Sequence, residues 1–417
     1  MLYPLHEAAY YSAQPLRLAA QAARLFWGSP LNPAARSRLG RTMFASAELI
    51  SNLTRRYGRP AWGIDAVTIN EVEVAVLNEV VWSTPWVRLR KFSRDPAGLR
   101  AAGAPETAPP LLIVAPLSGH YATLLRGTVE TFLTGFDVYV TDWSNAREVS
   151  ILEGRFDFHD YIDHVIGVLN HMGERAHVIA VCQPGPPVLS AAALMAAASD
   201  AHRPASVTLL GSPIDARFAP TATNRLAQEQ PFSWFQHAMI YTVPWPHPGM
   251  LRRVYPGFVQ LYSFIQMNVE RHQEAHRRYF DHLVAGDGDS ADKHREFYDE
   301  YLSVMDLTEE FYLQTVDVVF QRYLLPKGEL THRDQPVDLK AVSDIAIMSV
   351  EGENDDISGV GQTQAVHALT PNLPPALHEL YVQPKVGHYG VFNGRRFQDE
   401  IYPRIQAFIG RAEAGLA

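Results

Sequence analysis

The sequence predicts an α/β fold: a mostly parallel sheet flanked by helices, with a helical cap inserted late in the chain. Three observations carry this. Short apolar runs bounded by polar residues recur at Leu111 to Ala115, Val138 to Thr141, Val178 to Val181 and Val207 to Leu210. Runs of this kind read as strands buried on both faces. Stretches of helical character lie between them, at 121–133, 157–172 and 186–198, and that alternation builds parallel sheets. The rhythm then breaks from Ser212 to about Val337 and resumes with Ile345 to Val350 and Leu377 to Val382.

In chain order, residues 1–65 form an N-terminal helical arm. Leu16, Ala19, Ala20, Ala23 and Phe26-Trp27 recur near helical spacing, Pro30 and Pro33 break that helix, and a second runs from about Met43 to Arg56. The arm reads either as a layer packed on the core or as a contact for a hydrophobic surface. Residues 66–212 and 338–417 form the core. It opens with alternating residues from Val67 to Phe92, an antiparallel entry of two or three strands, followed by an Ala-, Pro- and Gly-rich loop over 94–110. Residues 213–337 form the cap. They are rich in aromatic residues at helical spacing and show no obvious strand. A last helix spans about 397–409.

Composition narrows the function. The chain has 417 residues, 47% of them hydrophobic and 19% charged, and a formal net charge of −9. That balance gives no support to nucleic-acid binding. A single cysteine excludes an intrachain disulfide and any multi-cysteine metal site. No basic segment followed by an apolar one opens the sequence, so a secretory signal is not expected. No apolar run approaches the roughly 18 residues of a membrane-spanning helix. The expected compartment is the cytoplasm, where a lone thiol stays reduced.

That thiol stands at the most informative point of the chain. Val178 to Val181 reads as a buried strand, Cys182 follows at the apex of a short turn, and Pro186-Pro187 opens an Ala- and Leu-rich helix. Proline suits a helix's first turn, where the missing N–H has no partner to lose. Strand, sharp turn and helix with a nucleophile at the tip is the nucleophile-elbow pattern. The helix N-terminus behind the tip can stabilise a thiolate and later an oxyanion. The match to G-x-S-x-G departs in three ways: Cys182 replaces serine, Ala180 replaces the first glycine, and Pro184 stands where the second is expected, with Gly185 one place later. The competing reading is a buried structural cysteine.

An elbow nucleophile needs an acid and then a histidine further along the chain. The strand Ile345 to Val350 runs into Glu351-Gly352-Glu353-Asn354-Asp355-Asp356, and the carboxyl ends of parallel strands are where ligands and catalytic groups gather. Asp355, Asp356 and Glu353 compete for the acid's place. His388, between Gly387 and Gly390, follows the last strand and is the candidate base. The oxyanion donors expected of an elbow are the N–H of Gln183 and one from the loop Ala115-Pro116-Leu117-Ser118-Gly119-His120-Tyr121, at Ser118 or Gly119. His120 is a candidate substrate contact. In the cap, Trp234, Phe235, Trp245 and Tyr255 lie near Pro231, Pro244, Pro246, Pro248 and Pro256. Segments so broken read as the lining of a substrate entrance, with Trp234 and Trp245 as candidate substrate-binding residues.

With these residues in view, the chain resembles the intracellular polyhydroxybutyrate (polyhydroxyalkanoate) depolymerases, members of the α/β-hydrolase superfamily. The resemblance runs from Met1-Leu2-Tyr3 through the segment Ala115 to Glu130, Tyr139-Val140-Thr141-Asp142-Trp143, Val181-Cys182-Gln183-Pro184-Gly185, Gly352 to Ile357 and Gly387-His388-Tyr389-Gly390. The Ser-Gly-His-Tyr and Cys-Gln-Pro segments are its specific signals; the Asp and His segments are shared with many α/β-hydrolases. It implies an α/β-hydrolase fold and a Cys182-Asp355-His388 triad in which Asp355 is the matching acid. The implied substrate is amorphous poly(3-hydroxybutyrate) in intracellular granules, cleaved through a thioester on Cys182 without metal or organic cofactor. The implied location is the cytoplasm, at the granule. Two rival readings are a polyhydroxyalkanoate synthase-like acyltransferase using coenzyme A thioesters, whose glycine-flanked cysteine Ala180 and Pro184 do not match, and a non-catalytic granule-coat protein. A homodimer is left open.

Overall fold

The apolar runs become the inner strands of one nine-stranded sheet, in a computed structural model that describes residues 2–173, 175–267 and 269–416. Met1, quoted above, lies outside them. The chain opens with helices α1 (Leu2–Ser12), α2 (Gln14–Gly28) and α3 (Arg38–Thr54). Ser37 starts α3 by accepting the Gly40 N–H, one of the donors a helix start leaves unpaired. Strands β1 (Ala66–Ile69), β2 (Val72–Ser83) and β3 (Val87–Arg94) form an antiparallel entry. The expected loop over 94–110 holds a short helix, α4 (Pro96–Ala101), because Asp95 caps it and Pro96 fits its first turn.

Alternation follows through β4 (Pro110–Val114), α5 (Arg126–Phe132), β5 (Asp137–Trp143), α6 (Phe158–Met172), β6 (His177–Val181), α7 (Gly185–Ala197) and β7 (Ser206–Leu210). Sequence-local signals fix α6: Asp157 and Asp160 make a reciprocal capping box at its start, and Gly173 closes it in the left-handed conformation.

The rhythm breaks into α8 (Ala222–Glu229), α9 (Phe232–Ala238), β8 (Tyr241–Thr242), β9 (Arg253–Tyr255), α10 (Gly257–Met267), α11 (Val269–Ala285), α12 (Gly288–Tyr301), β10 (Leu307–Thr308), α13 (Glu309–Thr315), α14 (Leu324–Lys327), β11 (Thr331–His332) and β12 (Gln335–Pro336). The chain returns with β13 (Ala346–Gly352), α15 (Val366–Leu369), β14 (His378–Gln383) and α16 (Tyr402–Leu416). The segment is mainly helical, but the expectation of no strand is corrected. β8, β9 and β10 form a small antiparallel sheet, with Tyr255 opposite Leu307, and β11 pairs with β12. Strands of two or three residues are too short to show alternation, and β9 meets β10 only after α10–α12 have intervened.

The main sheet runs β1-β2-β3-β5-β4-β6-β7-β13-β14, parallel from β5 onward. Every residue of β6, β7 and β13 is buried, as strands covered on both faces must be. The carboxyl ends of these three strands align. The Cys182 N–H donates to Leu210 O (2.8 Å) and the Gly211 N–H to Val350 O (2.9 Å). The turns after β6, β7 and β13 therefore open at one place. The N-terminal helices are tied to the rest by a buried hydrogen bond from Tyr3 Oη to Asp306 Oδ2 (2.6 Å) and by an ion pair of Arg55 with Asp299, while Arg56 pairs with Glu7 of α1 within the arm.

Candidate active site

Cys182 occupies the turn between β6 and α7 with φ of +67°. A non-glycine residue held there is strained, and such strain clusters at functional sites. The local sequence explains how the turn stays tight. A Cβ on Gly185 would stand 2.5 Å from Ser212 Cβ, so the glycine that seemed one place late is the one that lets α7 approach the turn after β7. Pro184 has φ of −68° and leads straight into the helix.

His388 lies in the loop after β14, with its Nδ1 2.8 Å from Asp355 Oδ2, and both side chains are buried. The other Asp355 oxygen accepts the N–H groups of Ile357 and Ser358, each at 2.8 Å. Of the three competing carboxylates, Asp355 is the one hydrogen-bonded to His388. Asp356 is exposed, and Glu353 turns away to accept the Lys385 N–H. The acid loop is pinned from below by buried Glu351, which accepts the N–H groups of Gly361, Thr363 and Gln364. Gly211, at φ of +56°, fits beneath the pair: a Cβ there would meet Asp355 Oδ2 and His388 Cε1 at 3.2 Å.

The electrostatics couple the three residues. Burial works against a charged imidazole at His388, but the neighbouring Cys182 and Asp355 and the hydrogen bond to Asp355 outweigh it. The imidazole pKa is held well above its ordinary range.

Opposite Cys182 stands the loop after β4. Its Leu117 N–H is taken by Gln183 Oε1 (3.1 Å), whereas the backbone N–H groups of Gln183, Ser118 and Gly119 have no protein partner among the described residues. They are free to meet a developing oxyanion. Gly119, at φ of +111°, allows a close approach by the Gln260 side chain, whose Oε1 would lie 2.2 Å from a Cβ at that position. Gln260 Oε1 and Gln183 Nε2 are both buried without a partner, and both residues line the cavity described next. Gln260, Gly211 and Tyr389 are site residues that sequence reasoning missed; nothing in the local sequence around Gln260 marks it.

Cys182 and His388 open onto a cavity of about 610 Å³ walled by Phe235, Tyr255, Phe264, Phe311, Tyr312 and Tyr389. Ser118 and His120 lie on its wall too. His120 is buried and donates from Nε2 to Tyr301 O (3.0 Å), and burial lowers its pKa to about 4. It is a neutral ring that ties the loop to the end of α12. Of the four aromatics expected at an entrance, Phe235 and Tyr255 line the cavity and the two tryptophans do not. Trp245 is 79% exposed, and Trp234 packs edge-on against Phe235 from outside. The prolines there mark breaks between short elements rather than the cavity wall. No group of three or more His, Cys, Asp or Glu among the described residues is arranged to hold a metal ion.

The sheet order, the crossing from an antiparallel entry to a parallel core, and the placement of Cys182, Asp355 and His388 after β6, β13 and β14 define an α/β-hydrolase. Residues 211–413 match the family described as PHB de-polymerase C-terminus. No curated protein sequence matches the chain. Among solved structures, an esterase from Thermogutta terrifontis is 14% identical, with 83% of this chain and 98% of that one covered and a TM-score of 0.42. A 2-hydroxy-6-oxo-6-phenylhexa-2,4-dienoate hydrolase from Rhodococcus sp. is 12% identical, with 81% and 99% covered and a TM-score of 0.42. Likenesses so distant add nothing to the fold assignment, which rests on the strand order.

Proposed function

We propose that the protein is an intracellular depolymerase that hydrolyses ester bonds of amorphous poly(3-hydroxybutyrate), acting at the granule through Cys182, His388 and Asp355. The observation that carries this reading is the apposition of Cys182 and the His388–Asp355 pair on the wall of a large aromatic cavity, in a chain whose residues 211–413 match the C-terminal family of PHB depolymerases. A polyester chain is apolar and flexible, and aromatic walls give it large contact area at low entropic cost.

In this reading Asp355 orients His388 and balances its charge. The Cys182 thiolate attacks the ester carbonyl, and the N–H groups of Gln183 and of Ser118 or Gly119 hold the oxyanion. The carbon–oxygen bond breaks, the alkoxide end of the polymer takes the proton from His388 Nε2, and a thioester remains on Cys182. Water then gives a proton to His388 and adds its oxygen to the thioester, which releases the acid and restores the thiolate. Each bond broken is matched by one formed, and the scheme uses no metal or organic cofactor. The cap over 213–337 would admit the chain.

The test is incubation with amorphous poly(3-hydroxybutyrate) beside an acyl-coenzyme A assay. Soluble hydroxy acids released from the polymer, with no polymer made from the thioester, support the reading. Growth of polymer from the thioester points to a synthase-like transferase, and inertness in both assays points to a granule-coat protein.

A further inference from the structure

Large apolar side chains left open to water are usually scattered over a protein surface. Here they gather in the N-terminal helices. α2 and α3 pack antiparallel: Arg17, near the start of α2, donates from Nη1 to Thr54 O at the end of α3 (2.5 Å), and Gly28 at the end of α2 abuts the Phe44 ring. The turn over 29–37 therefore brings the end of α2 and the start of α3 together. Leu25, Phe26, Leu31, Leu39 and Met43 stand exposed there, Leu31 at 91%. Along α3 the exposed apolar positions continue at Ile50 and Leu53, so that helix carries an unpartnered apolar stripe.

The same segment is basic within an acidic protein. Residues 1–58 hold seven arginines, at 17, 24, 36, 38, 41, 55 and 56, against Glu7 and Glu48, while the whole chain carries −9. Arg24, Arg55 and Arg56 are spent in ion pairs. Arg36 and Arg38 are exposed beside the apolar cluster and make no ion pair among the described residues.

We propose that the turn between α2 and α3 docks on an anionic lipid surface. Leu25, Phe26, Leu31 and Leu39 enter the boundary between headgroups and acyl chains, and Arg36 and Arg38 meet the lipid phosphates. This occupant uses both properties of the patch. A second copy joined arm to arm would bring two like-charged segments together, and an uncharged polyester surface would leave the arginines without a role. The inference is independent of the reaction proposed above.

The full chain is sedimented with vesicles of phosphatidylcholine alone or containing phosphatidylglycerol, at low and high salt. Binding should require the anionic lipid and weaken with salt. Each cation at such a surface raises partitioning about fivefold, so the double variant Arg36→Gln/Arg38→Gln should bind about 25-fold more weakly. Leu25→Ser/Phe26→Ser should abolish binding. Both variants should keep the parent's melting temperature and gel-filtration volume. Equal binding to both vesicle types, or double variants that bind like the parent, would overturn the proposal. So would a parent dimer that these variants split, which would make a second copy the occupant, or a patch that binds lipid-free polymer particles and no vesicle.

Discussion

Nδ1 of His388 stands 2.8 Å from Oδ2 of Asp355, whose other oxygen is fixed by two backbone N–H groups. The carboxylate is thus clamped and its partner ring has one orientation. Asp355→Asn keeps the shape but lets the imidazole take the wrong tautomer, and turnover should fall about 10⁴-fold. Asp356→Asn, on an exposed side chain, should stay within about twofold of the parent. Steady-state rates on a soluble nitrophenyl ester decide; reversed sensitivity would move the acid to Asp356.

Gly211 offers a separate test of the same geometry. Gly211→Ala places a methyl against both His388 and Asp355 at a left-handed φ. Gly173→Ala has a left-handed φ too, but nothing lies within 4 Å of its Cβ. Both should lose roughly 1 kcal/mol or more of stability from backbone strain. Only Gly211→Ala should lose turnover as well, by at least about tenfold. Equal turnover in the two variants, measured beside their melting curves, would show that the pair tolerates the displacement.

His388 should titrate differently once the thiol is gone. Its raised value depends on the Cys182 charge as well as on Asp355. In Cys182→Ala burial keeps its full effect against fewer opposing charges, so the imidazole pKa should fall, as read from its proton resonances. A folded value above the unfolded one, about 6.5, contributes stability that is fully present below pH 6.5. That contribution is lost as pH rises through the folded value. The variant should lose part of it, and an unchanged titration would remove Cys182 from contact with the ring.

The cavity wall makes a prediction that the sequence alone misdirected. Tyr312 stacks on Tyr255 at 4.0 Å inside the cavity, whereas Trp245 is exposed outside it. Tyr312→Ala should lower release from amorphous polymer about tenfold while a small soluble ester is affected less. Trp245→Ala should change neither rate by more than about twofold. Paired assays on each variant check this; a larger polymer defect in Trp245→Ala would restore the tryptophan to substrate binding.

What the sequence made legible was local. The run Val178 to Val181, Cys182 at its end and the proline-led helix after it are encoded within about twenty residues, and the strand spacing carried the α/β rhythm. The neighbourhood of His388 was legible because a loop after the last strand has few places to go. The choice of Asp355 over Asp356 came from the family resemblance and not from the local pattern, because adjacent residues in a turn differ only in which backbone N–H groups they meet, here those of Ile357 and Ser358. The wall of the cavity was opaque for a stronger reason. Gln260 reaches Gly119 across more than a hundred residues, and β9 finds β10 after three helices. Contacts of that kind leave no periodic trace, and dense prolines at 244–248 were a poor substitute.

The central claim is that Cys182 carries the acyl group. The most direct measurement is the mass of the Cys182-containing peptide from enzyme quenched in acid during turnover of a 3-hydroxybutyrate oligomer. The account predicts a fraction of that peptide heavier by a hydroxybutyryl unit or its oligomer, labile to hydroxylamine and absent from His388→Ala. Steady product release with Cys182 unmodified throughout, or undiminished after its complete alkylation, would contradict it.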